Sequence, residues 1–334
     1  MRMRKIGFFF GAGVFLLLSP LAAFAQTIPL NDFSLTLTPA NPAPYENMVL
    51  SLGSGSVDLT NATFKVYVNG SLAASGTGSQ SVSLTAGAPG SSMTIRVLVF
   101  ANGKTYKKTL VVHPVSVALV VEPLSTVPPF YRGGALVPAH GSVRVVAVPT
   151  FYTSRGAYIN PSTLSYTWSV NNDMLPGASG VGQSSVVVPS PLPYREETVS
   201  VQVQNGNGSL IAQKSVSLMP QNPFVLIYKD DPLMGVEYSH ALSGQESLGG
   251  AEASFVAVPY GFSTQNGGPL FSWFLNGEQV QTGNMITVKP QGAGKGIASL
   301  SVSASSPETF EIANANLAVQ FGTSSAGGFG LFGL

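Results

Sequence analysis

Three histidines, one acidic patch and a set of loop aromatics have the widest chemical scope in this 334-residue chain. His113, His140 and His240 could ligate a metal or carry a proton. None lies in an HExxH motif or has a second histidine at i+4, the spacing that sets two imidazoles on one helix face for zinc. Asp230 and Asp231, flanked by Lys229 and followed by Glu237, form the densest acidic group. Oxygen-rich loops hold calcium, so calcium here is the alternative to having no cofactor. The repeat weakens it, because Asp231 aligns with Glu122, whose neighbours Val121 and Pro123 offer no side-chain oxygen. Serines are abundant, but Gly53-Ser54-Gly55 and Gly76-Thr77-Gly78 read as turns. A nucleophile elbow needs a strained strand-to-helix corner, and no segment outside the N-terminus has a helical period. With no cysteine, thiolate ligands and thiol nucleophiles are absent. The expectation is a protein that is not an enzyme, with no catalytic, cofactor-binding or metal residues. The remaining candidates are aromatic. Tyr152, Tyr158, Tyr260 and Phe262 fall where loops follow strands, and exposed rings there would stack on sugars. They are the candidate ligand-contact residues, with packing against the sandwich ends or the next domain as the alternative.

The elements that would position these residues are strands. One phrase occurs three times: Phe64–Gly70, Tyr166–Asn172 and Phe271–Gly277. Each alternates an apolar residue with a neighbour on the other face and stops at an Asn-led turn. Alternation of period two marks a strand half buried in a sheet, and Asn-Gly or Asn-Asn tolerates the positive φ of a tight turn. The second and third segments repeat each other further. Val146-Ala147-Val148-Pro149 recurs as Val256-Ala257-Val258-Pro259, Glu122-Pro123-Leu124 as Asp231-Pro232-Leu233, and Ala135-Leu136 as Ala241-Leu242, each last pair following a tyrosine, Tyr131 or Tyr238. Repetition at domain-sized spacing means similar modules in series. Prolines at His113-Pro114 and Met219-Pro220 end strands and mark the joints. Short proline-bearing links restrict the angles between neighbours, so a semi-rigid array is expected. The first segment reads as strands near 33–38, 46–52, 63–69, 80–85, 92–101 and 104–112, the last two joined by Asn102-Gly103. Short strands with turns every 8–12 residues are the pattern of an immunoglobulin-like sandwich. The predicted fold is all-β: three tandem Ig-like β-sandwich domains after an N-terminal signal peptide. The expected divisions are a signal at 1–25, domains at 26–114, 115–220 and 221–321, and a Gly-rich, apolar-ended tail at 322–334.

The pattern aromatic-x-Trp-x-aliphatic-Asn-Gly/Asn at 166–172 and 271–277 resembles the third strand of bacterial Ig-like and PKD-like repeat domains of secreted or surface proteins. The resemblance covers roughly residues 115–321; in the first segment Val66 stands where tryptophan would be. It implies that Trp168 and Trp273 are structural core residues packed across two sheets. It also implies extracellular display, spacing and adhesion, and it carries no catalytic residues.

Composition bears on destination. Arg2, Arg4 and Lys5 precede an apolar run from Ile6 to Leu18, and Ala23-Phe24-Ala25 is a small-x-small cleavage site, the layout of an export signal. An uncleaved membrane anchor is the rival reading, since 6–25 is long enough to span a bilayer. No other segment is. Without the signal the chain has 13 Lys+Arg against 15 Asp+Glu, and the basic stripe expected of a nucleic-acid binder is read as absent. Only 9% of residues are charged, well below the usual quarter. The expected protein is exported, secreted or attached to the cell surface, and works as a spacer, adhesin or envelope-assembly component. Its expected partners are other envelope or surface proteins, or glycans, with no nucleic acid. A carbohydrate-binding module using the loop aromatics is the alternative.

Overall fold

The computed structural model describes residues 32–78, 81–129, 131–248, 252–291 and 295–322. The expected signal (1–25) and all of the tail beyond Gly322 lie outside the described residues.

Module 1 contains β1 (Phe33–Thr38), β2 (Asn47–Ser54), β3 (Thr63–Val68), β4 (Ser71–Thr77), β5 (Ser81–Thr85), β6 (Met93–Ala101) and β7 (Lys104–Val112). They form two sheets, β1-β2-β5 and β4-β3-β6-β7. Module 2 contains β8 (Ser116–Pro123), β9 (Ser142–Thr150), β10 (Ser165–Val170), β11 (Asp173–Met174), β12 (Gly180–Val181), β13 (Ser185–Pro189), β14 (Glu197–Gln204) and β15 (Ile211–Leu218). Its sheets are β13-β9-β8 and β11-β10-β14-β15, the same arrangement. Module 3 contains β16 (Phe224–Asp231), β17 (Gly235–Val236), β18 (Gln245–Ser247), β19 (Ala253–Tyr260), β20 (Leu270–Leu275), β21 (Glu278–Thr282), β22 (Met285–Val288), β23 (Gly296–Ser306) and β24 (Glu311–Phe321). Its sheets are β17-β16-β19-β22 and β18-β24-β23-β20-β21, with β18 parallel to β24. The protein is therefore all-β, a series of Ig-like sandwiches. Strand β4 escapes sequence reading because its residues are almost all exposed and carry no alternation.

Alternation drives the packing. On β6, Met93, Ile95, Val97 and Val99 point inward and are buried, while Thr94, Arg96, Leu98 and Phe100 face the other way. Each module closes around its own apolar cluster, from Phe33 to Val112, Val115 to Leu218 and Val225 to Val319. Trp168 and Trp273 sit in the second and third clusters with no exposed surface. Their indole Nε1 groups donate to the carbonyls of Gln183 (2.8 Å) and Gly283 (3.0 Å). Both acceptors lie two residues ahead of the next sheet's strand, β13 or β22. The buried polar handle is thereby satisfied in the same way twice. Val66 occupies the matching place in module 1, in register with Val97 as Trp168 is with Val201 and Trp273 with Val302.

The recurring asparagine has a structural cause. Asn69, Asn171 and Asn276 all have φ near +50°. Their side-chain oxygens accept the backbone N–H of Thr94, Thr198 and Ser299 at 2.9, 2.9 and 3.0 Å. Their own N–H groups donate to the carbonyls of the same three residues. One residue thus makes the turn and ties it to the start of the neighbouring strand. Asparagine suits both tasks, since it tolerates the left-handed region and carries a carboxamide acceptor.

Candidate functional site

Of the four loop aromatics, two are buried. Tyr260 is the last residue of β19 and 5% exposed, and Phe262 is fully buried in the third core. Both rings therefore take the packing alternative and are not open to a ligand. The loop after β19 is covered by a strap from module 2. The backbone of 124–126 runs beside 261–264: Thr126 N–H donates to Phe262 O (2.7 Å), Gly261 N–H to Thr126 O (2.9 Å) and Thr264 N–H to Leu124 O (3.0 Å). Thr126 Oγ1 also accepts the Phe262 N–H at 3.1 Å. Gly141 comes so close that a β-carbon there would lie 2.6 Å from Ser263 Oγ. A side chain at 141 would push the modules apart.

The strap continues over the outer face of module 3's first sheet. There Tyr228, Val256, Val258 and Tyr260 make a fourth buried cluster, with Leu136 of the strap packed on it. The Tyr228 and Tyr260 hydroxyls hydrogen-bond at 2.6 Å. Phe224 stacks on Tyr260 at 4.7 Å, and Tyr131 meets Tyr260 edge-on at 5.5 Å. Burial, and then the bond to Tyr228, push the Tyr260 phenol well above its ordinary value. These rings are a packed joint, with Phe224, Tyr131 and Tyr238 each partly exposed at its rim. Glu311, 3% exposed, lies at the same joint. Its Oε2 accepts the Ser263 N–H (2.9 Å) and the Thr309 hydroxyl (2.8 Å). Sequence reading missed this glutamate and the strap, since Ser263 lies 48 residues from Glu311 and Phe262 lies 136 from Thr126.

Tyr152 and Tyr158 pair edge-on at 5.7 Å in the hairpin 152–158. Tyr158 is 55% exposed. Tyr152 lies against module 1: a β-carbon on Gly90 would meet its ring at 3.2 Å. The equivalent loops of modules 2 and 3 therefore each face the module that precedes them, at two separate joints, and do not form one surface. Between modules 1 and 2 an open groove of about 620 Å³ runs from Pro39 and Glu46 to Gln202 and Lys214. It adjoins a shallow polar groove of about 500 Å³ on module 2, lined by Thr167, Ser169, Gln202 and Gln213.

The acidic patch is used locally. Asp231 accepts the N–H groups of Leu233 (2.8 Å) and Met234 (3.0 Å), which hold its carboxyl below the usual range. Glu237 pairs with Lys229 at 3.9 Å. Among the described residues no three His, Cys, Asp or Glu side chains converge as a metal site. The histidines are scattered, with His113 at the first joint, His140 in the strap loop and His240 in the loop after β17. Among the described residues, no helix is long and apolar enough to cross a membrane.

No protein-family model and no curated protein match this chain. Solved structures do. The three N-terminal domains of the bacteriophage RB49 highly immunogenic outer capsid protein are 11% identical, with a TM-score of 0.25, over 87% of this chain and 99% of that one. The central fibronectin-III array of RIM-binding protein is 12% identical (TM-score 0.28), over 87% and 96%. The fibronectin(III)-like modules of Clostridium thermocellum CbhA are 12% identical (TM-score 0.27), over 56% and 94%. Likenesses this distant say nothing about ligand or partner.

Proposed function

We propose that this chain is a non-catalytic, exported protein, a member of the bacterial Ig-like and PKD-like repeat class. It works outside the cytoplasm as a structural spacer and adhesive array in an envelope or surface assembly. The observation that carries this reading is the joint between modules 2 and 3. A strap of one module hydrogen-bonds to the backbone of the next and seals an aromatic cluster beneath it. Such a joint holds two modules at one angle, which suits a load-bearing or displaying role. The N-terminal sequence supports export through a cleaved signal. Fractionation of the native cells, with mass spectrometry of the mature N-terminus, tests both parts. A chain beginning at Gln26 in the envelope or medium is the expected result; a full-length chain in the cytoplasm would sink the proposal. The glycan-binding alternative keeps the half-exposed Tyr158 as its one favourable observation. A glycan array with Tyr158→Ala as control tests it.

A further inference from the structure

The three modules serve as internal controls for one another. Register aligns Lys65, Arg96 and Lys107 of module 1 with Thr167, Ser200 and Gln213 of module 2. In module 3 the matching residues are Ser272, Ser301 and Asn314. Six neutral side chains in two modules stand where three cations stand in the first. All of these positions lie on the outer face of the sheet that holds β3, β10 or β20, and in module 1 Lys65 and Lys107 are exposed there. Among the described residues none of the three forms an ion pair, and residues 59–121 contain no Asp or Glu at all.

The cations on this face are held by rings. Lys65 Nζ lies 5.9 Å from the Phe100 ring centroid, and the Arg96 guanidinium lies 4.9 Å from that of Tyr67. The Arg96 Nε is buried without a hydrogen-bond partner. Thr94, Thr105 and Thr109 supply exposed hydroxyls between them. Lys108 belongs to the other side of the sheet, where it donates to the Phe33 carbonyl. Lys65 and Lys107 flank Leu98 in one row, two strand spacings or about 9–10 Å apart, with Arg96 one row along.

We infer that this face of module 1 binds an anionic polysaccharide, one carrying carboxylates along a chain of neutral sugar rings. Uncompensated cations two strands apart meet successive carboxylates. The ring edges of Tyr67 and Phe100, with Leu98 between, offer apolar surface to sugar C–H groups, and the threonines bond sugar hydroxyls. A nucleic acid would be met by the cations alone, since the rings here already carry Lys65 and Arg96 and are not open for base stacking. The inference names a partner class for the surface role above. It is measured on purified protein, so its failure is separable from failure of the export reading.

Affinity electrophoresis of the full chain through gels containing polygalacturonate tests it, with neutral dextran and an oligo-dT strand as comparators. Three forms are run: the wild type, Lys65→Gln/Lys107→Gln, and Arg195→Gln/Lys295→Gln, which removes the same charge elsewhere. The expected result is retardation by polygalacturonate that fades with salt, none by dextran, and at least about tenfold weaker binding for the module 1 variant alone. No retardation of the wild type would overturn the assignment, as would equal loss in both variants. Equal or tighter binding of oligo-dT would replace the glycan by a generic polyanion. A melting curve of the module 1 variant matching the wild type excludes misfolding as the cause of its loss.

Discussion

Trp168 and Trp273 fill their cores and also tie β10 and β20 to the segment leading into the opposite sheet, through Gln183 and Gly283. Truncation to alanine leaves a large cavity and an unpaired carbonyl, at a cost of about 3–5 kcal/mol. A module of this size has about 5–15 kcal/mol in all, so urea unfolding of either variant should show a midpoint well below that of the wild type. Asn276 is a smaller lever. Asn276→Ala loses the acceptor for Ser299 N–H and leaves an alanine at φ 50°, an expected loss of about 1–2 kcal/mol by the same measurement. Tyr260 predicts a pH effect. Its raised pKa means the fold prefers the neutral phenol. That contribution is complete below the ordinary tyrosine value of about 10 and is lost as pH rises beyond it. Melting temperatures between pH 8 and 11 should fall more steeply for the wild type than for Tyr260→Phe. At neutral pH the variant is less stable, because the buried Tyr228 hydroxyl loses its partner.

At the scale of elements, the strap decides whether modules 2 and 3 unfold separately. Separate cores alone would make Trp168→Ala silent in module 3. With the strap in place, loosening module 2 withdraws three backbone hydrogen bonds and the Leu136 lid from module 3. Calorimetry should therefore show the two modules melting together, and Trp168→Ala lowering both. Thr126→Pro removes the donor to Phe262 O and should split that transition in two. Sequence reading reaches some of these elements and not others for a physical reason. The strand centred on each repeat phrase is legible because one face is buried, so Phe64, Tyr166 and Trp273 announce themselves by alternation. Strands β4 and β21 are not, because both faces meet solvent. Tyr260 and Phe262 follow Val-Ala-Val-Pro just as Tyr152 does, and the sequence cannot say that a distant segment will cover one loop while the other leans on module 1. The shared Ala-Leu pair is legible as a repeat, yet Leu136 serves the neighbouring module and Leu242 its own, where its N–H donates to Ile227 O.

At the scale of the whole molecule, modules 1 and 2 are tied differently. Among the described residues the contacts there include the link His113–Val115, a hydrogen bond from Val115 N–H to Pro42 O (3.1 Å), and Tyr152 and Gly156 against Gly90. Because the chain has no cysteine, cysteines placed at exposed Ser71, Glu196 and Gln279 can be labelled in pairs. Single-molecule energy transfer should give a narrow distance distribution for the 196–279 pair and a broader one for 71–196. Modules 2 and 3 are connected at two places, through the covalent link at 219–223 and through the strap. A coupling fastened at two points resists torsion as well as bending, as a gate on two hinges cannot spin about either. Whatever is displayed on the last module should therefore keep one compass bearing relative to the middle one, and any swivel is expected at the neck between the first two.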